Sequence, residues 1–128
     1  SRGSATALCV ELSRRHAACL RRNARSLDAP MEIRVQDAFV AIRQLVERNE
    51  QFDFILADPP YGEKNVDRRS ESLAQKLLDD ECLPSLLTEA GRLLLGHARR
   101  DQLEIPPTWD EVKTLKHGDN WIRILVLK

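Results

Sequence analysis

Short apolar runs alternate with stretches of helical spacing along the first three quarters of the chain, and the last fifth reads as two strands alone. Residues 6–10 form an apolar run ending at Glu11, a strand buried on both faces. Ser13 can cap the segment that follows, where Ala17, Leu20, Ala24 and Leu27 share one helical face and Arg14, Arg21, Arg22 and Arg25 lie largely elsewhere. Asp28, Ala29 and Pro30 close that helix, and residues 31–35 make a second strand ending at Gln36 and Asp37. Phe39, Ile42, Leu45 and Val46 recur at helical spacing. Residues 54–57 are a third buried strand, a helix around Leu73, Leu77 and Leu78 follows a loop, and residues 92–95 give a further strand after Gly91.

Each parallel strand needs a crossover, which a helix supplies, so this alternation predicts a parallel α/β sheet. Residues 112–115 and 121–127 break the pattern: both are strand-like, and the Lys116, His117, Gly118, Asp119, Asn120 segment between them suits a hairpin. The expected architecture is a parallel sheet finishing in an antiparallel hairpin. No internal repeat, low-complexity tract or linker interrupts it.

Composition narrows the class. With 128 residues, 42% of them hydrophobic, the chain can build one core, a small one for an α/β sheet, so a single domain over 1–128 is expected. Twenty basic residues balance twenty acidic ones, so nucleic-acid contact has to come from a local patch or another segment. Three cysteines without Cys-x-x-Cys spacing argue against a disulfide framework and a structural zinc and fit a reducing cytoplasm. His16, His97 and His117 have no ligand spacing with them, so no metal is expected. No run of 18 apolar residues and no charged, apolar-cored leader is present, so no membrane span or secretory signal is indicated.

The chemistry concentrates at Asp58-Pro59-Pro60-Tyr61, directly after the third strand. Two consecutive prolines remove two backbone donors and fix two φ angles, leaving the Pro59 carbonyl little freedom to turn away. A carboxylate and a rigid carbonyl side by side can accept both hydrogens of a planar amino group, while Tyr61 offers a flat face to the ring that carries it. A proline-terminated strand followed by a turn is the plainer reading, but it leaves the acid and the aromatic unexplained.

The tetrapeptide resembles the Asp/Asn-Pro-Pro-Tyr/Phe motif of S-adenosylmethionine-dependent amino-group methyltransferases. The order of acids, the absence of a recognition insert and Trp109-Asp-x-Val with its terminal hairpin are similar to the bacterial small-subunit (16S) ribosomal RNA guanine-N2 methyltransferases in particular. That resemblance implies the Rossmann-like class I methyltransferase fold, with S-adenosylmethionine as cofactor and 16S rRNA or a small-subunit assembly particle as partner. Glu11 would bind the ribose hydroxyls and Asp37 the adenine amino group, with Leu12, Ala38 and Phe39 as walls. Asp58, Pro59, Pro60 and Tyr61 would be catalytic, with Tyr61, Lys64, Arg68 and Arg69 toward the substrate, where a loop beside the target base can hold phosphates. Glu11 and Asp37 have a second reading, as caps of the helices that follow them.

The family also carries, upstream of the ribose-binding acid, a first strand and a glycine-rich Asp-x-Phe-x-Gly-x-Gly loop, neither of which is in this sequence. Ser1, Arg2 and Gly3 resemble the stretch just after the family's first helix, although Ser-Arg-Gly-Ser is also the pattern of an expression scar. The expectation is an N-terminally truncated N-methyltransferase domain, inactive by itself because the methionine half of the cofactor lacks its loop, with unpaired edges on the strands that end at Glu11 and Asp58. DNA adenine or protein glutamine methylation is an alternative, since those enzymes use a similar tetrapeptide, usually with asparagine first. A catalytically incompetent remnant acting as a binding module is another.

Overall fold

The computed structural model describes residues 5–128, so the reading of Ser1, Arg2 and Gly3 lies outside the described residues. The elements run β1 (Leu8–Glu11), α1 (Arg14–Ser26), β2 (Glu32–Val35), α2 (Ala38–Glu47), β3 (Phe52–Ala57), α3 (Leu73–Asp79), a 3-10 turn (Leu83–Leu86), β4 (Leu87–Ala98), β5 (Trp109–His117) and β6 (Asn120–Leu127). Contacts gather them into two compact units, Ser1–Arg48 and Asn49–Lys128.

In the first unit β1 and β2 pair in parallel, from Leu8 opposite Glu32 to Glu11 opposite Val35. Between them α1 begins where Ser13 Oγ accepts the His16 N–H at 3.3 Å, the cap expected from its position. Fully buried Ala17 lets the helix approach closely, and the chain leaves it through Asp28, whose φ of 48° is left-handed. α2 buries Ala41, Ile42 and Leu45, whereas Phe39 and Val46 of the predicted stripe are only half-buried. Ala41 belongs to the covered face but is too small to stand out in a hydrophobic count.

The second unit is a four-stranded sheet in the order β3-β4-β6-β5. β3 and β4 are parallel, β6 runs antiparallel to β4, and β5 flanks β6 as the outer strand of the terminal hairpin. β4 spans twelve residues rather than 92–95, because β3 pairs with it at Leu87 and from Arg92 to Leu95 and β6 from Leu93 to Ala98, so that its two neighbours extend it beyond the apolar run. Glu89, Ala90 and Gly96 interrupt its apolar run and hid that length. Leu93, Leu95 and Leu125 are fully buried, and Trp109 donates its indole N–H to the Leu78 carbonyl at 3.1 Å, tying β5 to α3. Val112 sits at a bulge in β5, between Glu111 and Lys113, and is exposed there. The hairpin closes between His117 and Asn120, with Gly118 at a φ of 58°.

Among the described residues β1 pairs with β2 alone and β3 with β4 alone. The strand at 54–57, read as buried, instead exposes Phe54 and Leu56, at 64% and 76%. Both lie on one face of β3, and nothing among the described residues covers that face. No described helix is long and apolar enough to cross a membrane.

Candidate active site

Glu11 and Asp37 belong to the first unit, and each is oriented by the backbone that follows it. Glu11 Oε1 accepts the Ser13 N–H at 3.0 Å and lies 3.8 Å from His16 Nδ1. Asp37 caps α2, its Oδ1 accepting from the N–H groups of Phe39 at 2.8 Å and Val40 at 3.3 Å. The capping role is therefore real for Asp37, and Oδ2 stands outside the cap. Leu12 and Ala38 are exposed and Phe39 is half-buried, so side chains beside both acids have free surface.

The tetrapeptide belongs to the second unit. Ala57 ends β3 opposite Leu95 of β4, which delivers Asp58 beside Gly96. A Cβ on Gly96 would stand 2.6 Å from Asp58 Oδ1 and 3.3 Å from its Cγ. The carboxylate thus rests on a bare α-carbon, in a space that any other residue at 96 would fill. Pro60 is exposed and Tyr61 is 48% exposed. Next to them opens a cavity of about 350 Å³, lined by Tyr61, Asn65, Arg68, Glu71, Ser72 and Leu73 among others. Concave surface beside Pro60 and an aromatic is where a planar substrate group fits, and Asp58 and Pro59 stand just before that lining in the chain.

The loop that carries Tyr61 is firmly docked. Asn65 is buried and pairs with Gln102 in both directions, accepting its N–H at 2.8 Å and donating to its carbonyl at 2.9 Å. Arg100 Nε donates to the Gly62 carbonyl at 3.1 Å, and Ser70 donates to the buried Asp101 carboxylate. Arg69, expected to face phosphates, is committed elsewhere: it forks onto Asp79 at 2.7 Å through both terminal nitrogens and reaches Glu104 at 2.9 Å. Those contacts raise the guanidinium further above its ordinary value, Asp79 contributing most. Lys64 and Arg68 remain exposed on the loop, Arg68 at the cavity wall with Glu63 at 4.0 Å.

His97 lies behind the motif on β4 and is 2% exposed. Its Nδ1–H donates to the Ala98 carbonyl at 2.9 Å, its Nε2 accepts from Arg123 at 3.0 Å, and its ring meets Trp121 edge-on. Burial pushes its pKa down, the Ala98 carbonyl and Asp101 act upward, and the Arg123 charge adds to the depression. The unfolded imidazole therefore takes up a proton near 6.5 and the folded one only at lower pH, so this part of the stability is complete above 6.5 and is lost as pH falls from there through the folded value. The thermal midpoint should drop between pH 7.5 and 5.5, and His97→Gln should flatten that slope. Asp79, held low chiefly by Arg69, contributes its loss only below 3.8, so the two windows separate. An unchanged slope in His97→Gln would remove His97 as its source.

Among the described residues no group of His, Cys, Asp and Glu could hold a metal ion. Three residues of the site were not read from the sequence: Gly96, which makes room for Asp58, Arg100, which holds Gly62, and Asn120, which accepts the Tyr61 hydroxyl. Gly96 and Asn120 are placed by strand register, which no local motif encodes.

A parallel strand pair that ends in an antiparallel hairpin, with helices between the strands, is the Rossmann-like class I methyltransferase fold, and solved structures share it. The family described as conserved hypothetical protein 95 matches residues 1–126, and the chain belongs to that family. The Escherichia coli protein yhhF, provisionally named a methyltransferase, superposes with a TM-score of 0.78 at 17% identity, over 100% of this chain and 66% of that one. SMU.776, solved in complex with SAH, gives 0.68 at 15% identity over 96% of this chain and 39% of its own. The 16S rRNA methylase RmtB gives 0.60 at 15% identity over 99% and 49%. At these identities the likeness is one of fold. A comparison with curated proteins finds no match.

Proposed function

We propose that this chain acts in the S-adenosylmethionine-dependent methylation of an exocyclic amino group, namely guanine N2 in 16S rRNA, in the cytoplasm. The observation that carries the reading is the Asp58 carboxylate, seated against Gly96 at the end of β3 and followed by the rigid Pro59-Pro60 corner, Tyr61 and an adjoining cavity. An aromatic amine is a poor nucleophile because its lone pair is delocalised into the ring. Asp58 and the Pro59 carbonyl accept its two N–H groups, which localises the lone pair and aims it, and Tyr61 stacks on the base. Positioning of this kind can supply several kcal/mol of a barrier, on the order of 7–11 in the most favourable intramolecular cases. Support for the chemistry comes from the fold shared with SAH-bound SMU.776, and support for the substrate from the fold shared with RmtB.

The residues present fit the adenosine half of the cofactor. Glu11 and Asp37 are strand-end carboxylates oriented by backbone N–H groups, a pair of acceptors suited to a diol and an amino group. Glu11 would hold the ribose hydroxyls and Asp37 the adenine amine, with Leu12, Ala38 and Phe39 beside the ring. Bound there, S-adenosylmethionine supplies an electrophilic methyl. Lys64 and Arg68 would meet RNA phosphates, while Arg69 braces the loop that presents them.

The test is methyl transfer from labelled S-adenosylmethionine to 16S rRNA, small-subunit particles, duplex DNA and protein, with digestion of the product. N2-methylguanosine from the ribosomal RNA is expected, and a methylated adenine or glutamine instead would overturn the assignment. Glu11→Ala should weaken cofactor binding by roughly 1.5–3 kcal/mol, as for a hydrogen bond to a charged group, with turnover at saturation largely kept. Calorimetry beside Glu11→Gln, which still accepts the Ser13 N–H, separates a lost ligand contact from a lost local bond. Turnover abolished at saturation with unchanged affinity would displace Glu11 from this role.

A further inference from the structure

We propose that Asn120, the first residue of β6, is a positioning residue that fixes the ring of Tyr61 through its phenol, a role resting on the proposed amino-group methylation. The Tyr61 hydroxyl donates to Asn120 Oδ1 across 59 residues of sequence. A half-exposed tyrosine after two prolines has a set backbone but a side chain free to swing, so an acceptor at the tip of the ring decides where its face stands.

Asn120 is itself rigidly held. It opposes Ala98 on β4 and His117 on β5, so ladders flank it on both sides. The turn before it is tied back by the Arg99 N–H, which donates to the Asp119 carbonyl at 2.8 Å. The next residue, Trp121, is packed edge-on by His97 and lies under the Lys116 ammonium at 4.5 Å. The hairpin tip is thus a fixed post for the ring, and the sheet that seats Asp58 on Gly96 also carries that post.

The bond acts on the ring rather than on the loop. The loop keeps its pairing of Asn65 with Gln102, its Arg100 bond to Gly62 and the ion pairs of Arg69 without it. Losing the Asn120 acceptor should leave the loop docked and free only the side chain. A base stacked on a swinging ring loses its alignment, and a misplacement near 1 Å can cost about 10²-fold in rate.

Tyr61 is the sole tyrosine of the chain, so protein labelled with 3-fluorotyrosine gives one fluorine resonance that reports this ring. Asn120→Ala should shift and narrow that resonance, while Asn120→Asp, which keeps an acceptor, should stay close to the parent. In single-turnover methylation of 16S rRNA, Asn120→Ala and Tyr61→Phe should each lose about tenfold in rate, and the double variant no more than either alone. Cofactor affinity and thermal midpoint should stay near the parent values, which a loop staple would not allow. An unmoved resonance in Asn120→Ala overturns the tether whatever the activity. A moved resonance with full activity in both single variants overturns the positioning role. Failure of the parent protein to methylate RNA overturns the functional reading and this role with it, while the fluorine spectra still decide the tether.

Discussion

Asp58→Ala should lower single-turnover methylation by about 10²-fold or more, with cofactor affinity within a few-fold of the parent. The carboxylate is one of two acceptors for the target amine, and without it the group can rotate out of line with the methyl. Asp58→Asn should be milder, because an amide oxygen still accepts one N–H and the side chain has the same reach to the space over Gly96. The ranking Ala below Asn below Asp separates an orienting acceptor from a general base, for which the amide would be as damaging as alanine. Asp58 lies beyond the last β3 residue and is exposed, so neither variant opens a cavity and the fold should be kept. Normal turnover of Asp58→Ala at saturating RNA would end the amine-clamp mechanism.

What the sequence made legible follows from how local each signal is. The capping serine of α1, the helix from 14 to 26 and the hairpin around Gly118 are specified within a few residues, and each lies where the pattern predicts. The tetrapeptide is local as well, so its position after β3 could be read directly. The acids at 11 and 37 were found by the same rule, yet spacing cannot distinguish a capping carboxylate from a ligand, and Asp37 does cap α2. Less legible was everything that depends on which strands become neighbours. β4 could not be measured because its polar and glycine positions break the apolar run, while its length is set by β3 and β6, which pair with different parts of it. Arg69 read as a free cation because Asp79 and Glu104, ten and 35 residues away, are brought to it only by the docked loop. Asn120 had no signal of its own, since its part is defined by a hydroxyl 59 residues earlier.

Gly96→Ala should cripple turnover while leaving the protein folded, and it tests the seat of Asp58 without touching Asp58. The added methyl would stand 2.6 Å from Asp58 Oδ1, nearer than real Cβ contacts allow, and 3.3 Å from Asp58 Cγ, with the Ala57 carbonyl farther off at 3.7 Å. The atom that must yield is therefore the end of a side chain and not the backbone of a neighbouring strand. Gly96 is buried in β4 opposite Ile122, and its φ is not left-handed, so alanine suits the strand. Removing a glycine also lowers the entropy of the unfolded chain, worth about 0.4–1 kcal/mol where the conformation is compatible. The thermal midpoint should accordingly hold or rise slightly. The carboxylate, however, has to turn away from the position in which it meets the amine, and the rate should fall by about 10- to 100-fold. Because both changes act through one carboxylate, adding Gly96→Ala to Asp58→Ala should cost nothing further. Single-turnover rates for the parent, the two single variants and the double variant complete the cycle. Losses that multiply in the double variant, or full activity in Gly96→Ala, would show that the carboxylate does not work from the seat it occupies.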